Sequence, residues 1–488
     1  SIKESATLGF FGRLNYDYQG RYLVELSGRT DGSSRFARGH RWVFVPSGSL
    51  GWRISEEEFW KPLKNVWDNC KVRLSVGSLG NQNVDDYYTY IESIDTSGTI
   101  NYTFDGESKA NIAVEDAPKA SDLTWETATT YDLGIDLGFF GNRLNITADV
   151  YMRDTKNMLC DGMQLPSVYG AQVPRQNIAD MRTRGWELSV AWQDRLAVAG
   201  KLLNYSISAG VSDYTTKVTR YNNPSKLLSK YYVGQTLGEL WGFSVGGFFV
   251  SDEEAANYPV DQSYLNQQII TSVGERGLRA GDVKYLDLDG DNEISIGSNT
   301  VDNPGDQRII GNTLPRYAYN FKLGASWNGV DFSAFFQGIG HQDWYPAGNA
   351  ISFWGPYSRP YCSFIPTQFM DEVWTETNTG AYFPRARGYE ALQTNYSLGS
   401  PNDRYLQNIA YFRLKNLTIG YTIPVLPRFI KDLRVYFSGE NLFYFSPLKK
   451  HSKYVDPEQA TSSDTRYENT GVAYNFSKTF SFGVSITL

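Results

Sequence analysis

Histidine and cysteine are scarce in this 488-residue chain, and clustered basic residues and long apolar runs are missing altogether. The three histidines, His40, His341 and His451, sit in no HExxH. There is also no nucleophile elbow, Walker loop or dinucleotide-binding glycine pattern, so the chain carries no local mark of an enzyme and no catalytic residue is assigned. Cys70, Cys160 and Cys362 are odd in number and form no CxxC pair, which excludes a disulfide framework and a zinc knuckle. A net charge of -7 without Lys/Arg clusters argues against nucleic-acid binding. No stretch of 18 apolar residues exists, which excludes a transmembrane helix but not a transmembrane barrel, whose apolar residues occupy alternate positions.

What the chain does have is 34 Tyr, 27 Phe, 12 Trp and 45 Gly, together with a period of two. In 143–153, Leu144, Ile146, Ala148, Val150 and Met152 alternate with Arg143, Asn145, Thr147, Asp149, Tyr151 and Arg153. The pattern returns in 433–445, broken at Asn441 and Leu442, and in 479–488. With stretches starting near 6, 21, 41, 70, 126, 181, 202, 315, 330 and 408, about thirteen strands of roughly ten to fifteen residues are predicted, long enough for tilted bilayer crossings.

Their connections alternate between short (19–20, 139–142, 194–201, 327–329, 423–432) and long (81–125, 159–180, 215–314, 341–407, 446–476). That parity belongs to an outer-membrane barrel with short periplasmic turns and long extracellular loops. Two connections fit less well: 54–69 is long for its side and 33–40 short for its side. The expected fold is therefore all-β, a transmembrane antiparallel β-barrel. An odd strand count does not close a single-chain bacterial barrel, so residues 1–488 are expected to form the C-terminal part of a plugged barrel of about 22 strands.

Several blocks carry a resemblance: "YLVELSGRTDGSSRFARGHRWVFVPSGSLGWRISEEEF" (22–59), "LTWETATTYDLGIDLGFFGNRLNITADVYMRDTKNML" (123–159), "NIADMRTRGWELSV" (177–190), "GDVKYLDLDGDNEIS" with "GDQRIIGNTLPRYAYNF", and "YFRLKNLTIGYTIP" before "LRVYFSGENLFYFS". In this order they resemble the SusC/RagA-type TonB-dependent outer-membrane transporters. The closing "SFGVSITL" is similar to the carboxy-terminal signal for barrel insertion, with Leu488 where an aromatic residue is common. The resemblance implies import of oligosaccharides or peptides across the outer membrane of a Gram-negative bacterium, with a SusD-like surface lipoprotein as lid. It also implies that TonB acts through an upstream plug segment and that the remainder of the barrel lies upstream too. A secreted carbohydrate-binding or adhesin β protein is the competing reading.

Two stretches are candidate sites. In "KYLDLDGDNEIS", Asp287, Asp289 and Asp291 fall at positions 1, 3 and 5 of a calcium loop, with Glu293 at 7 and Ser295 at 9. Position 6 is Asn292, which tolerates positive φ, and position 12 is Ser298 rather than the bidentate Glu. Calcium binding then depends on Asp302 or Asp306 folding back, and a plain solvated acidic turn is the alternative. In 341–364, Trp344, Tyr345, Trp354, Tyr357 and Tyr361, with Asp343 and Arg359 as polar partners, offer flat rings for sugar or peptide contact. The same composition suits a barrel-rim girdle or a loop's own packing.

Overall fold

The computed structural model describes residues 3–487 apart from 85–86, 93, 100–110, 116–118, 163–172, 267–276, 359–366, 387–388, 395, 425–429, 462–469 and 472. Thirteen strands form one antiparallel sheet in chain order. They are β1 (Thr7–Tyr18), β2 (Tyr22–Ser33), β3 (Trp42–Arg53), β4 (Trp67–Asn81), β5 (Glu126–Phe139), β6 (Leu144–Asp161), β7 (Arg175–Val198), β8 (Lys201–Arg220), β9 (Arg316–Trp327), β10 (Val330–His341), β11 (Tyr411–Thr422), β12 (Asp432–Phe445) and β13 (Thr479–Thr487). Each predicted strand is present, and among the described residues no helix is long and apolar enough to cross a membrane. The turn expected at 194–201 is tighter than its sequence suggests. Strands β7 and β8 run on to leave only Ala199 and Gly200, both at positive φ (50° and 76°), the backbone of a two-residue hairpin loop. Asn328 and Gly329 do the same between β9 and β10.

The chain divides into two compact units. The first comprises 1–188, 214–224 and 230–236; the second comprises 189–213, 225–229 and 237–488.

In the first unit the register turns alternation into rows. Tyr16, Val24, Leu50, Leu74, Leu133 and Val150 are successive cross-strand partners from β1 to β6. One residue along, Asn15, Glu25, Ser49, Ser75, Asp132 and Tyr151 form the next row on the opposite face. Leu50, Leu74, Leu133 and Val150 are exposed, as a sheet face solvated by hydrocarbon requires. The inter-strand hydrogen bonds satisfy the backbone. A small core of Phe36, Val84, Leu123 and Trp125 gathers residues of the connections at 34–41 and 82–125.

The second unit repeats the device. Tyr205, Ala325, Phe332, Ile419, Phe437 and Phe482 form one row from β8 to β13, and Asn204, Ser326, Asp331, Gly420, Tyr436 and Gly483 form the next. The break at Asn441 is a β-bulge, with the β11–β12 register shifting between Leu414 and Asn416 and Asn441 at φ 50°. This unit also holds a far larger core, assembled from 237–315, 342–410 and 446–478.

Candidate functional site

Trp354 lies at the centre of that loop core, fully buried. The rings of Phe353, Phe383, Tyr345 and Tyr405 surround it at centroid distances of 4.8, 6.2, 6.3 and 5.4 Å, and its indole Nε1 donates to the carbonyls of Pro346 and Ala347. Asn402 pins the polar edge of the cluster. Its Nδ2 donates to Tyr345 Oη at 2.8 Å and to the Ser400 carbonyl, while its Oδ1 accepts from the Tyr405 N–H. Burial drives the phenols of Tyr345 and Tyr405 well above their usual range and pushes Tyr382 up to about 12, so all three are neutral donors at physiological pH.

This geometry corrects the expectation for the aromatic loop. Trp344, Trp354 and Tyr357 are buried in the core, with the Tyr357 hydroxyl donating to the Pro384 carbonyl, so their ring faces are covered by protein and present no stacking platform. Tyr345 is half-buried, packs on the same cluster and spends its hydroxyl on the carbonyls of Leu398 and Ser400. Asp343 is a fastener: Oδ2 accepts from Asn312 N at 2.8 Å, and Oδ1 lies 3.1 Å from His341 Nε2. Arg359 and Tyr361 lie outside the described residues. Trp344, Phe353, Trp354 and Tyr357 therefore build a loop core, the alternative that the sequence had left open.

The acidic loop closes as its turn residues allow, with Gly290 and Asn292 at φ 82° and 65°. Asp287 Oδ1 and Oδ2 accept from Gly290 N and Asn292 N, and Asp289 Oδ1 from Asp291 N. Ile294, completely buried, roots the loop in the core. Carboxylate oxygens of Asp287, Asp289 and Asp306 all lie within 4.8 Å of one another. Asp306 has folded back, its carboxylate accepting from Leu288 N at 2.6 Å and Ser295 N at 2.8 Å. Burial raises its pKa against those two donors, and the neighbouring charges of Asp289 and Asp287 raise it further. The carboxylates of Asp291 and Glu293 are not in the group; Asp291 Oδ1 accepts from Glu293 N, and Ser295 Oγ from Gly297 N.

Away from the loops, each unit carries an arginine on its polar face that reaches across a glycine. In the first, Arg73 on β4 pairs with Asp136 on β5 and passes over Gly134 to Asp149 on β6, both at 2.8 Å. In the second, Arg434 on β12 passes over Gly420 on β11 to Asp331 on β10 at 2.6 Å. Arg413 is the buried counterpart, held by Asp456 at 2.5 Å and by Glu458, and lying 4.5 Å from the Tyr444 ring centroid. It ties the 446–478 connection to β11. None of these residues stood out in the sequence; the only signal for the two spanning pairs was an Arg or Asp at a polar-face position of each strand.

Comparison with known proteins fits this arrangement. The chain is 27% identical over 502 residues to TonB-dependent receptor P26 of Formosa agariphila, with 98% of this chain and 46% of that protein covered. It is 26% identical over 493 residues to TonB-dependent receptor SusC of Bacteroides thetaiotaomicron, with 98% and 43% covered. The chain thus spans just under half the length of these curated relatives, which are receptors and not enzymes. In fold it is similar to the structure of the RagAB peptide transporter, with a TM-score of 0.66 at 21% identity over 91% of this chain and 44% of that one. The family model described as TonB dependent receptor-like, beta-barrel, matches residues 1–288, more than half of the sequence. With its apolar and polar rows, its thirteen antiparallel strands and its SusC/RagA-type likenesses, the chain belongs to the TonB-dependent receptor β-barrel family of the outer membrane.

Proposed function

We propose that this chain supplies strands and outer loops to a TonB-dependent importer of oligosaccharides or peptides that works with a SusD-like surface lipoprotein. The observation that carries the reading is the division of labour within the chain. Strand rows are apolar on one face and polar on the other, while 237–315, 342–410 and 446–478 fold into a core of their own. A polar strand face suits a water-filled path, and loops with their own core suit a rigid surface on which a lid closes. Relatives named SusC and the RagAB peptide transporter support the two cargo classes. In this reading energy arrives through TonB acting on a plug segment of the same protein. Cargo meets exposed groups of the loops and polar strand faces rather than Trp344, Trp354 or Tyr357.

The loop around Asp287 is proposed to take calcium, with Asp287, Asp289 and Asp306 as its carboxylate donors. Three converging hard oxygen donors suit a cation that takes about six to eight of them, and the charge would stiffen the chain beside Ile294. To test the import reading, the protein is purified in detergent from outer membranes of its host and co-purifying lipoproteins are identified. Growth of a deletion strain is then compared on single oligosaccharides and on peptides. Co-purification of one SusD-like lipoprotein and loss of growth on one cargo class are expected; recovery of the protein from the soluble fraction without detergent would sink the reading.

A further inference from the structure

The connection at 54–66 is the one short-side turn that breaks the length rule, and its structure gives a reason. It runs as two 3₁₀ segments, Ile54–Glu56 and Glu58–Leu63, with Pro62 inside the second and the first packed against β4. Glu57 between them captures two aromatic residues, accepting from Tyr22 Oη at 2.6 Å and from Trp52 Nε1 at 3.1 Å. Tyr22 and Trp52 are cross-strand partners lying two residues beyond Val24 and Leu50, hence on the same apolar face. That capture fixes the segment to the end of the membrane-facing rows. Trp60, buried, closes the other side: it lies 4.5 Å from Trp67, which stacks on Phe139.

With Trp60 turned in, Phe59, Leu63, Val66 and Phe140 are left exposed, Phe59 by 63%. Among them stand Lys61 and Lys64, paired with Glu58 at 2.5 Å and Glu56 at 3.1 Å. A water-facing turn has no reason to expose three large apolar side chains within eight residues while burying a fourth. Apolar residues interleaved with charge pairs, beside Tyr and Trp whose polar tips are already bonded, have the composition of a segment lying in the headgroup zone of a bilayer. Continuity with the strand rows, which face lipid in this family, puts that zone within reach.

We propose that residues 57–66, with Phe140, form an interfacial anchor seated among the phospholipid headgroups of the periplasmic leaflet, Phe59 and Leu63 dipping into the acyl boundary. The inference rests on the membrane embedding of the barrel, and its test separates the two. The intact transporter is reconstituted in phospholipid bilayers doped with a photoactivatable phospholipid whose diazirine sits either near the headgroup or at the acyl terminus, and labelled peptides are mapped by mass spectrometry. The headgroup-proximal probe is expected to label 57–66, and the terminal probe the strand segments around Leu74 and Leu133. Labelled strands with an unlabelled 57–66 would overturn the anchor and leave the barrel reading intact. Unlabelled strands would remove the membrane embedding on which both depend. Phe59→Ser with Leu63→Ser should cut labelling of 57–66 several-fold while leaving the strands unchanged; full labelling in that variant would show that these side chains are not the contact and overturn the proposal.

Discussion

The two units share one kind of wall and differ in what the connections do. In the first, the core of the described connections is Phe36, Val84, Leu123 and Trp125. In the second, twenty buried residues among those described in three connections, with Trp344, Trp354 and Tyr357 among them, make a core on the scale of a small domain. A wall built of cross-strand rows owes its order to register and to lipid on its apolar face, so each row can be read locally. A loop core owes its order to hydrophobic burial among residues more than a hundred positions apart, as with Tyr285 and Tyr405. The first kind should tolerate local change, and the second should melt as one body.

The largest expected effect tests that last contrast. Trp354→Ala removes the centre of the large core at a cost of about 3–5 kcal/mol, and protease sites should open together in 237–315, 342–410 and 446–478. Trp125→Ala removes a ring packed 5.6 Å from Phe36 and an N–H donated to the Arg41 carbonyl, and cleavage should rise only within 34–41 and 82–125. Limited proteolysis of the detergent-solubilised protein, read by mass spectrometry, distinguishes the two. Cleavage confined to 342–410 in Trp354→Ala would mean that the second unit's loops are not one cooperative body.

Arg413→Met should cost about as much, roughly 3–5 kcal/mol, because it leaves Asp456 buried without its cation and Glu458 with Lys415 alone. Arg182→Met in the first unit breaks a bidentate pair with Asp154 whose arginine is well exposed, and should be nearly silent. Thermal unfolding of the loops, followed by tryptophan fluorescence, reads both. Adding Asp456→Leu to Arg413→Met should recover part of the loss, since Glu458 keeps Lys415, whereas a deeper loss would show that more than the uncompensated charge is at stake.

The strands were legible in the sequence because period two survives wherever one face meets lipid and the other water: Leu144 to Met152 needed no tertiary knowledge. The loop core was not. Trp344 and Trp354 read equally well as a ligand platform and as packing, and only their burial among Phe353, Phe383 and Tyr405 decides between these. Nothing near Asn402 or Arg413 in the chain marks them, since Asn402 reaches Tyr345 and Arg413 reaches Asp456 and Glu458, all in other segments. The acidic loop was half legible. Asn292 turns as its side chain allows, yet the third carboxylate of the group is Asp306 rather than Asp291, a choice made by the fold when Ser295 N and Leu288 N take up the Asp306 oxygens.

A smaller effect tests whether the walls are truly alike. A Cβ on Gly134 would meet the Asp149 carboxylate and the Arg73 guanidinium, and one on Gly420 would meet Asp331 and Arg434. Gly134→Val and Gly420→Val should therefore each displace a spanning ion pair and cost about 1–3 kcal/mol through overpacking, measured as lost resistance to heat of the folded band on gels. Equal losses would confirm one device used twice; a silent variant would show that its unit does not depend on the bridge.

The subtlest effect separates the acidic loop from every feature of the first unit. Burial first, then the charges of Asp289 and Asp287, raise the pKa of Asp306 in the closed loop. A carboxyl group so raised binds its proton more tightly closed than open, which favours closure below the ordinary carboxylate range. That advantage fades as pH rises through the raised value. Calcium binds the ionised form and should reverse the trend. In chelator, then, protease cleavage within 284–306 should be faster at neutral than at mildly acid pH, and calcium should slow it most at neutral pH. Asp306→Asn removes that group and one of the three carboxylate donors, so its cleavage should respond less to both variables. If the unsubstituted loop behaves as Asp306→Asn does, the three carboxylates form a solvated turn and the closure of this loop rests on Ile294 and its backbone bonds alone.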